Sequence, residues 1–181
     1  MESGRRDNLD ESLGLDDDSE DTQANKYLFF KIGKESYGIG IKHIIEIIEL
    51  QHISAVPDMP GYVKGVINLR GKVIPIIDLR LRFSLDERNY DDRTCIVVTE
   101  IDRVLIGFIV DTVEEVIEIP ENQVELPPKF KSANGEDRYV SGLGKVGDNV
   151  KILLDVEKIV EDQSIRAMGE EKAAVKCGAS Q

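Results

Sequence analysis

Few stretches of this chain hold residue types that could do chemistry. "GLGKVG" (142–147) spaces its glycines as a dinucleotide-binding loop does. Such a loop works by aiming backbone amides at phosphate, after a strand and from a helix N-terminus. Here "DNVKILLDV" follows, which reads as a turn and a strand, so the glycines are expected to shape a β-turn. Nucleotide-binding or enzymatic use of 142–147 is the alternative reading, and no Walker spacing is present. His43 and His52 are the only histidines, and neither has a Cys or acidic partner at metal-ligand spacing. Asp16, Asp17 and Asp18 have no loop framing them for calcium. Cys95 in "TCIVVTE" reads as a buried, inert thiol in mid-strand. Cys177 lies in a polar C-terminal stretch, so two cysteines make no disulfide framework. No Ser sits in a nucleophile elbow. Catalytic, cofactor and metal residues are therefore expected to be none. What remains is Arg70 in "NLRGKVIPIIDL" (68–79), a cation at a tight turn before a dense apolar strand.

The elements that must position Arg70 follow from composition and pattern. The chain has 181 residues, 41% of them apolar, 6% aromatic and no Trp, so its core must be Ile, Val and Leu. Branched aliphatics at that density favour strands. The net charge of −12 excludes nucleic acid as a partner, because phosphate contact needs a basic face. Residues 1–25 hold nine acidic and two basic residues with little apolar periodicity, and are expected to be a disordered acidic tail. Residues 161–181 read as a polar C-terminal tail. No signal peptide or membrane-spanning apolar run is visible, so a cytoplasmic location without membrane insertion is expected.

The chain repeats itself. "YGIGIKHIIEIIEL" (37–50) lies ungapped over "IGFIVDTVEEVIEI" (106–119), matching Gly38 to Gly107 and Glu46 to Glu115. "GVINLRGKVIPIIDL" (65–79) lies over "GLGKVGDNVKILLDV" (142–156), matching Gly65 to Gly142 and Asp78 to Asp155. The extra residues of the second copy are expected in the loop "PPKFKSANGEDR" (127–138). The units, about 26–85 and 92–156, each begin with a hairpin, around "GKES" in one and "IDR" in the other. Next comes a single helical turn running into a strand, then a last hairpin. Alternation puts Val73, Pro75, Ile77 and Leu79 on one face, and Pro75 marks an edge or a bulge. Asp78 and Asp155 are expected to N-cap short helical turns. Five short strands per unit suggest two small barrels, which must share apolar surface because units of about 60 residues are marginal alone.

"YGIGIKHIIEI", "GVINLRGKVIPIIDLR", "IGFIVD" and "GLGKVGD" resemble the CheW family of bacterial chemotaxis coupling proteins, over about residues 26–160. The resemblance implies a mainly β fold of two five-stranded SH3-like barrels on a common core. It implies a non-catalytic adaptor that couples chemoreceptor cytoplasmic tips to the regulatory domain of the histidine kinase CheA. Such an adaptor would be cytoplasmic and recruited to membrane-bound receptor clusters. Carried over by position, the receptor-binding surface would comprise Ile44, Glu46, Gly65 and Arg70, with Cys95 and Val113 from the second barrel. Cys95 stands where the family usually has an aliphatic. Kinase contacts would lie mainly on the second barrel, with no individual residue assigned. The other alternative is a ligand-sensing β-module unrelated to chemotaxis. In the repeat, the counterpart of Arg70 is Gly147, so the scaffold does not demand an arginine there.

Overall fold

The computed structural model describes residues 23–128, 136–161 and 165. The elements are β1 (Lys26–Ile32), β2 (Glu35–Gly40), a 3-10 turn Ile41–His43, β3 (Ile44–Glu49), β4 (Val63–Leu69), β5 (Lys72–Asp78) and α1 (Leu79–Arg82). They are followed by β6 (Cys95–Ile101), β7 (Val104–Val110), β8 (Thr112–Glu118), a 3-10 turn Glu121–Gln123, β9 (Val124–Glu125), a 3-10 turn Glu136–Tyr139, β10 (Val140–Val146), β11 (Asn149–Leu154) and α2 (Val156–Ile159). The helical turn expected before a strand forms only ahead of β3; β8 begins directly after Asp111. No helix of the described residues is long and apolar enough to cross a membrane.

The fold is mainly β, in two sheets. One has five strands in the order β3-β6-β7-β5-β4, and the other has six in the order β8-β1-β2-β11-β10-β9. Replacing each strand of the first sheet by its repeat counterpart gives the second, with β9 added. The repeat is therefore structural, down to its irregularities. Bulges fall between Ile44 and Glu46 against β6 and between Leu28 and Phe30 against β8. They recur between Val63 and Gly65, and between Val140 and Gly142. The contiguous division into 26–85 and 92–156 does not describe the sheets, however. Each sheet takes a hairpin from one half and the rest from the other, three strands in the five-stranded sheet and four in the six-stranded one. Parallel pairs Ile76 with Gly107 and Leu153 with Gly38 join the halves. Glycine is needed at both joints, because a methyl at Gly107 would lie 2.5 Å from the Ile76 side chain and one at Gly38 2.7 Å from Phe29.

Of the edge or bulge expected at Pro75, β5 is no edge, but its pairing with β4 carries a bulge opposite the neighbouring Ile76 and Ile77. Its parallel pairing to β7 begins only at Ile76, so the missing N–H of Pro75 falls before that ladder. From Ile74 onward β5 buries both faces. Ile74 and Ile76 enter a cluster inside the five-stranded sheet with Ile67, Ile96, Val98 and Ile109. Ile77 faces the core shared by both sheets, with Leu28, Phe30, Ile39, Val97 and Phe108. Burying each such side chain stabilises the fold by about 2 kcal/mol. Both sheets roll up: Ile48 of β3 and Ile67 of β4, strands at opposite edges, pack in one cluster.

Described residues at both ends of the expected 26–160 span make contacts with it. The Ile119 N–H donates to the Asn25 carbonyl at 2.8 Å, tying residues 23–25 to the end of β8. Ile165 is buried in the shared core. Residues 1–22, Cys177 and the rest of the expected C-terminal tail lie outside the described residues, as does most of the 127–138 loop.

Candidate functional site

The β4–β5 hairpin turns on two residues, Arg70 (φ 52°) and Gly71 (φ 84°). The Asn68 side chain accepts a hydrogen bond from the Gly71 N–H at 2.9 Å and sets the turn. Two positive φ angles match the twist of the flanking strands, but the left-handed conformation costs a residue with a Cβ about 1 kcal/mol. At the matching turn of β10–β11, Gly147 takes that conformation (φ 59°) without the cost. Arg70 therefore stands where the scaffold prefers glycine.

Its side chain reaches β3. Nη1 of Arg70 donates to Glu46 Oε1 and Nη2 to Oε2, both at 2.9 Å, in a bidentate pair. The sheet order puts β3 and the β4–β5 turn at opposite ends, so rolling of the sheet brings them together. The Arg70 side chain is 77% exposed and that of Glu46 21%. So exposed a pair contributes less than about 1 kcal/mol to stability, and its effect is to hold a charged fork in a fixed direction. On either side of Glu46, Ile45 and Ile47 are exposed on an edge strand, with Val73 exposed beyond the turn. Unpaired edge backbone beside apolar side chains is a surface that accepts a partner. The alternation Ile45-Glu46-Ile47 in the sequence is the signal that marks the two exposed isoleucines.

The other expected site residues lie on β3, β4, β6 and β8. Ile44, Cys95 and Val113 are half-buried and pack against the shared core. Ile44 and Val113 are repeat counterparts, on β3 and β8. The Val113 N–H meets the Cys95 sulfur; burial pushes the Cys95 thiol up and that N–H opposes it. Cys95 opens β6, rather than standing in mid-strand, and is only partly buried. Gly65 is buried at the β4 bulge, with φ 139°, where a methyl would lie 2.0 Å from the Ser54 carbonyl oxygen. Its part is to let the Ser54–Ala55 backbone bridge onto Val66. The structure thus joins Arg70 to Glu46 and Cys95 to Val113, and places Gly65 beneath the surface.

The glycines of 142–147 make no phosphate loop. Gly142 and Gly144 lie within β10, packed against Val124 and Ile119, and only Gly147 is at the turn; a strand follows. His43 is half-buried, lowered by burial and by Lys42, and faces Glu157 and Asp155. Among the described residues no group of three His, Cys, Asp or Glu is placed to hold a metal ion.

The CheW-like domain family model matches residues 26–164. The chain is 38% identical over 137 residues to the chemotaxis protein CheW of Helicobacter pylori, covering 75% of this chain and 81% of that protein. It is 33% identical over 145 residues to the chemotaxis protein CheW of Klebsiella aerogenes, covering 80% and 87%. The crystal structure of the scaffolding protein TtCheW from Thermoanaerobacter tengcongensis superposes with a TM-score of 0.71 at 34% identity, covering 77% of this chain and 94% of that one. With a repeated two-sheet fold, a surface arginine pair and these relatives, the chain belongs to the CheW family of chemotaxis scaffold proteins.

Proposed function

We propose that this chain is a non-catalytic adaptor that couples chemoreceptor cytoplasmic tips to the histidine kinase CheA, docking on the kinase's regulatory domain at membrane-bound receptor clusters. The receptor-facing surface comprises Ile44, Glu46, Arg70, Cys95 and Val113, supported from below by Gly65. The observation that carries this reading is the bidentate Arg70–Glu46 pair, held at a turn where glycine would be less strained. An arginine kept at such a position, adding little to stability, fits a contact better than a scaffold role. The half-buried Ile44 and Val113 with exposed Ile45 and Ile47 offer apolar contact to a helical tip, while the charged fork orients it. Adaptor action then requires only two separable surfaces, whose joint occupancy raises effective concentration.

The test is Arg70→Glu. Co-sedimentation with receptor-bearing membranes is expected to fall about tenfold, the loss of one charge-assisted bidentate contact. Binding to purified CheA in solution is expected to stay within about twofold, since a rim charge outside an interface adds little. Equal loss of both would mark a folding defect and end the two-surface reading. Retention of both would remove Arg70 from the receptor surface.

A further inference from the structure

A second concentration of charge lies where α1 meets α2. α1 and α2 are repeat counterparts and lie together: Arg82 Nε, at the end of α1, donates to the Ile159 carbonyl of α2 at 3.0 Å. The Arg82 guanidinium lies 4.3 Å from the centre of the Tyr62 ring and 5.0 Å from that of Tyr139, themselves counterparts. Arg138 lies 4.8 Å from the same Tyr139 ring. Two guanidiniums are thus drawn to one aromatic face system. Contact with a ring face fixes a guanidinium without using its N–H donors. Among the described residues neither arginine has a carboxylate partner, while Lys158 forms an ion pair with Asp155 at 3.7 Å. Arg82, Arg138, Lys158 and Glu161 line an open cleft of about 500 Å³. Among the described lining residues three cations face one acid, in a chain of net charge −12.

We propose that this cleft is a binding site for a multiply charged oxyanion group, a phosphate ester or clustered carboxylates. Like charges held together without an anion repel, and a planar fork pre-oriented by stacking and by the Ile159 carbonyl loses little freedom on meeting two oxygens. Its described lining shares no residue with the Arg70–Glu46 pair. The chain contains one candidate source, the nine acids of residues 1–25; a free phosphate compound is the other.

The full-length protein titrated with inorganic pyrophosphate, followed by amide NMR, tests this. Saturable shifts are expected at residues 82, 138 and 158. Arg138→Gln, at an exposed position that does not threaten folding, should weaken binding about tenfold, and Glu161→Gln should tighten it. Raising salt from 50 to 500 mM should abolish the shifts. Neutralising Asp16, Asp17 and Asp18 to Asn separates the sources. Tighter pyrophosphate binding would assign the cleft to the chain's own acidic segment, and unchanged binding to a free phosphate compound. Absence of saturable shifts, or shifts indifferent to Arg138→Gln, overturns the proposal.

Discussion

The two halves of the chain share one plan, and they differ at the places where a scaffold alone would have no reason to differ. The hairpins β4–β5 and β10–β11 have the same register, the same bulge and the same Asp N-cap. One turns on Arg70, paired to Glu46; the other turns on Gly147. Asp78 is buried, accepting from the Arg80 N–H at 2.9 Å and from the Tyr90 hydroxyl at 2.7 Å, whereas Asp155 caps α2 from a partly exposed position. Burial and the Asp78 hydrogen bond both push the Tyr90 hydroxyl up, so it stays a donor. Where Arg80 meets Asp111 at 2.7 Å in the first joint, the counterpart positions hold Glu157 and Lys42, the same charges exchanged. Packing differs too: Gly144 leaves room for the buried Ile119, while at the counterpart positions Ile67 is buried and Leu50 only partly so. Positions common to both halves carry the fold, and the departures change local pairing and packing.

The bulge glycines break this comparison most sharply. Gly65 combines a positive φ with a backbone oxygen where a methyl would sit, 2.0 Å away. Gly142 is hindered chiefly by the Val124 side chain at 2.8 Å, which can move. Gly65→Ala is expected to cost about 4 kcal/mol, left-handed strain added to overpacking. Gly142→Ala should cost about 1 to 2 kcal/mol. Urea unfolding of both variants measures the difference. Equal costs would mean that the Ser54–Ala55 backbone yields as easily as a side chain.

The exchanged ion pair gives a smaller effect with a defined pH dependence. Burial alone would raise the Asp111 carboxyl. Hydrogen bonds from Arg80 and from the Gly33 N–H, with the charges of Arg80 and Arg88, outweigh it and hold the group below the usual carboxylate range. A folded pKa below the unfolded value, about 3.9, means that the stabilisation is present above that value. It is lost as pH falls from about 3.9 through the folded pKa. Asp111→Asn should therefore cost about 1 to 2 kcal/mol at pH 7 and nothing further on acidification. Unfolding midpoints at pH 7 and pH 3 for wild type and variant check this: the gap should narrow at low pH. Lys42→Ala, at the exposed counterpart, should shift neither midpoint by more than about 0.5 kcal/mol.

Much of this organisation was legible in the sequence because the repeat is carried by glycines, aspartates and apolar positions with local roles. Gly38 over Gly107, and Asp78 over Asp155, report tight packing and helix capping wherever they occur. The exchange of strands between halves was not legible. A hairpin has the same pattern whether it pairs within its own half or across to the other, and pairing partners are set by tertiary contact. The burial of Gly65 was hidden for the same reason, since the backbone of Ser54 and Ala55 arrives from a segment with no strand pattern. At the site, Arg70 stood out through its mismatch with Gly147, and Glu46 through its match with Glu115. Their pairing needed the rolled sheet.

The smallest effect on stability is expected where the effect on function is expected to be large. Arg70→Gly restores at the β4–β5 turn the residue that β10–β11 uses. It removes left-handed strain of about 1 kcal/mol and an exposed pair worth less than that, while adding backbone freedom to the unfolded chain. These terms nearly cancel, so thermal and urea midpoints should stay within about 0.5 kcal/mol of wild type. Receptor co-sedimentation should still fall, because the fork that Glu46 holds is gone. The reverse change, Gly147→Arg, adds the strain at a turn where the counterpart of Glu46 is Glu115, exposed on β8. It should destabilise by about 1 kcal/mol and leave receptor binding unchanged. A protein that loses stability on Arg70→Gly, and keeps receptor binding, would make the Arg70–Glu46 pair a strut of the rolled sheet rather than a contact.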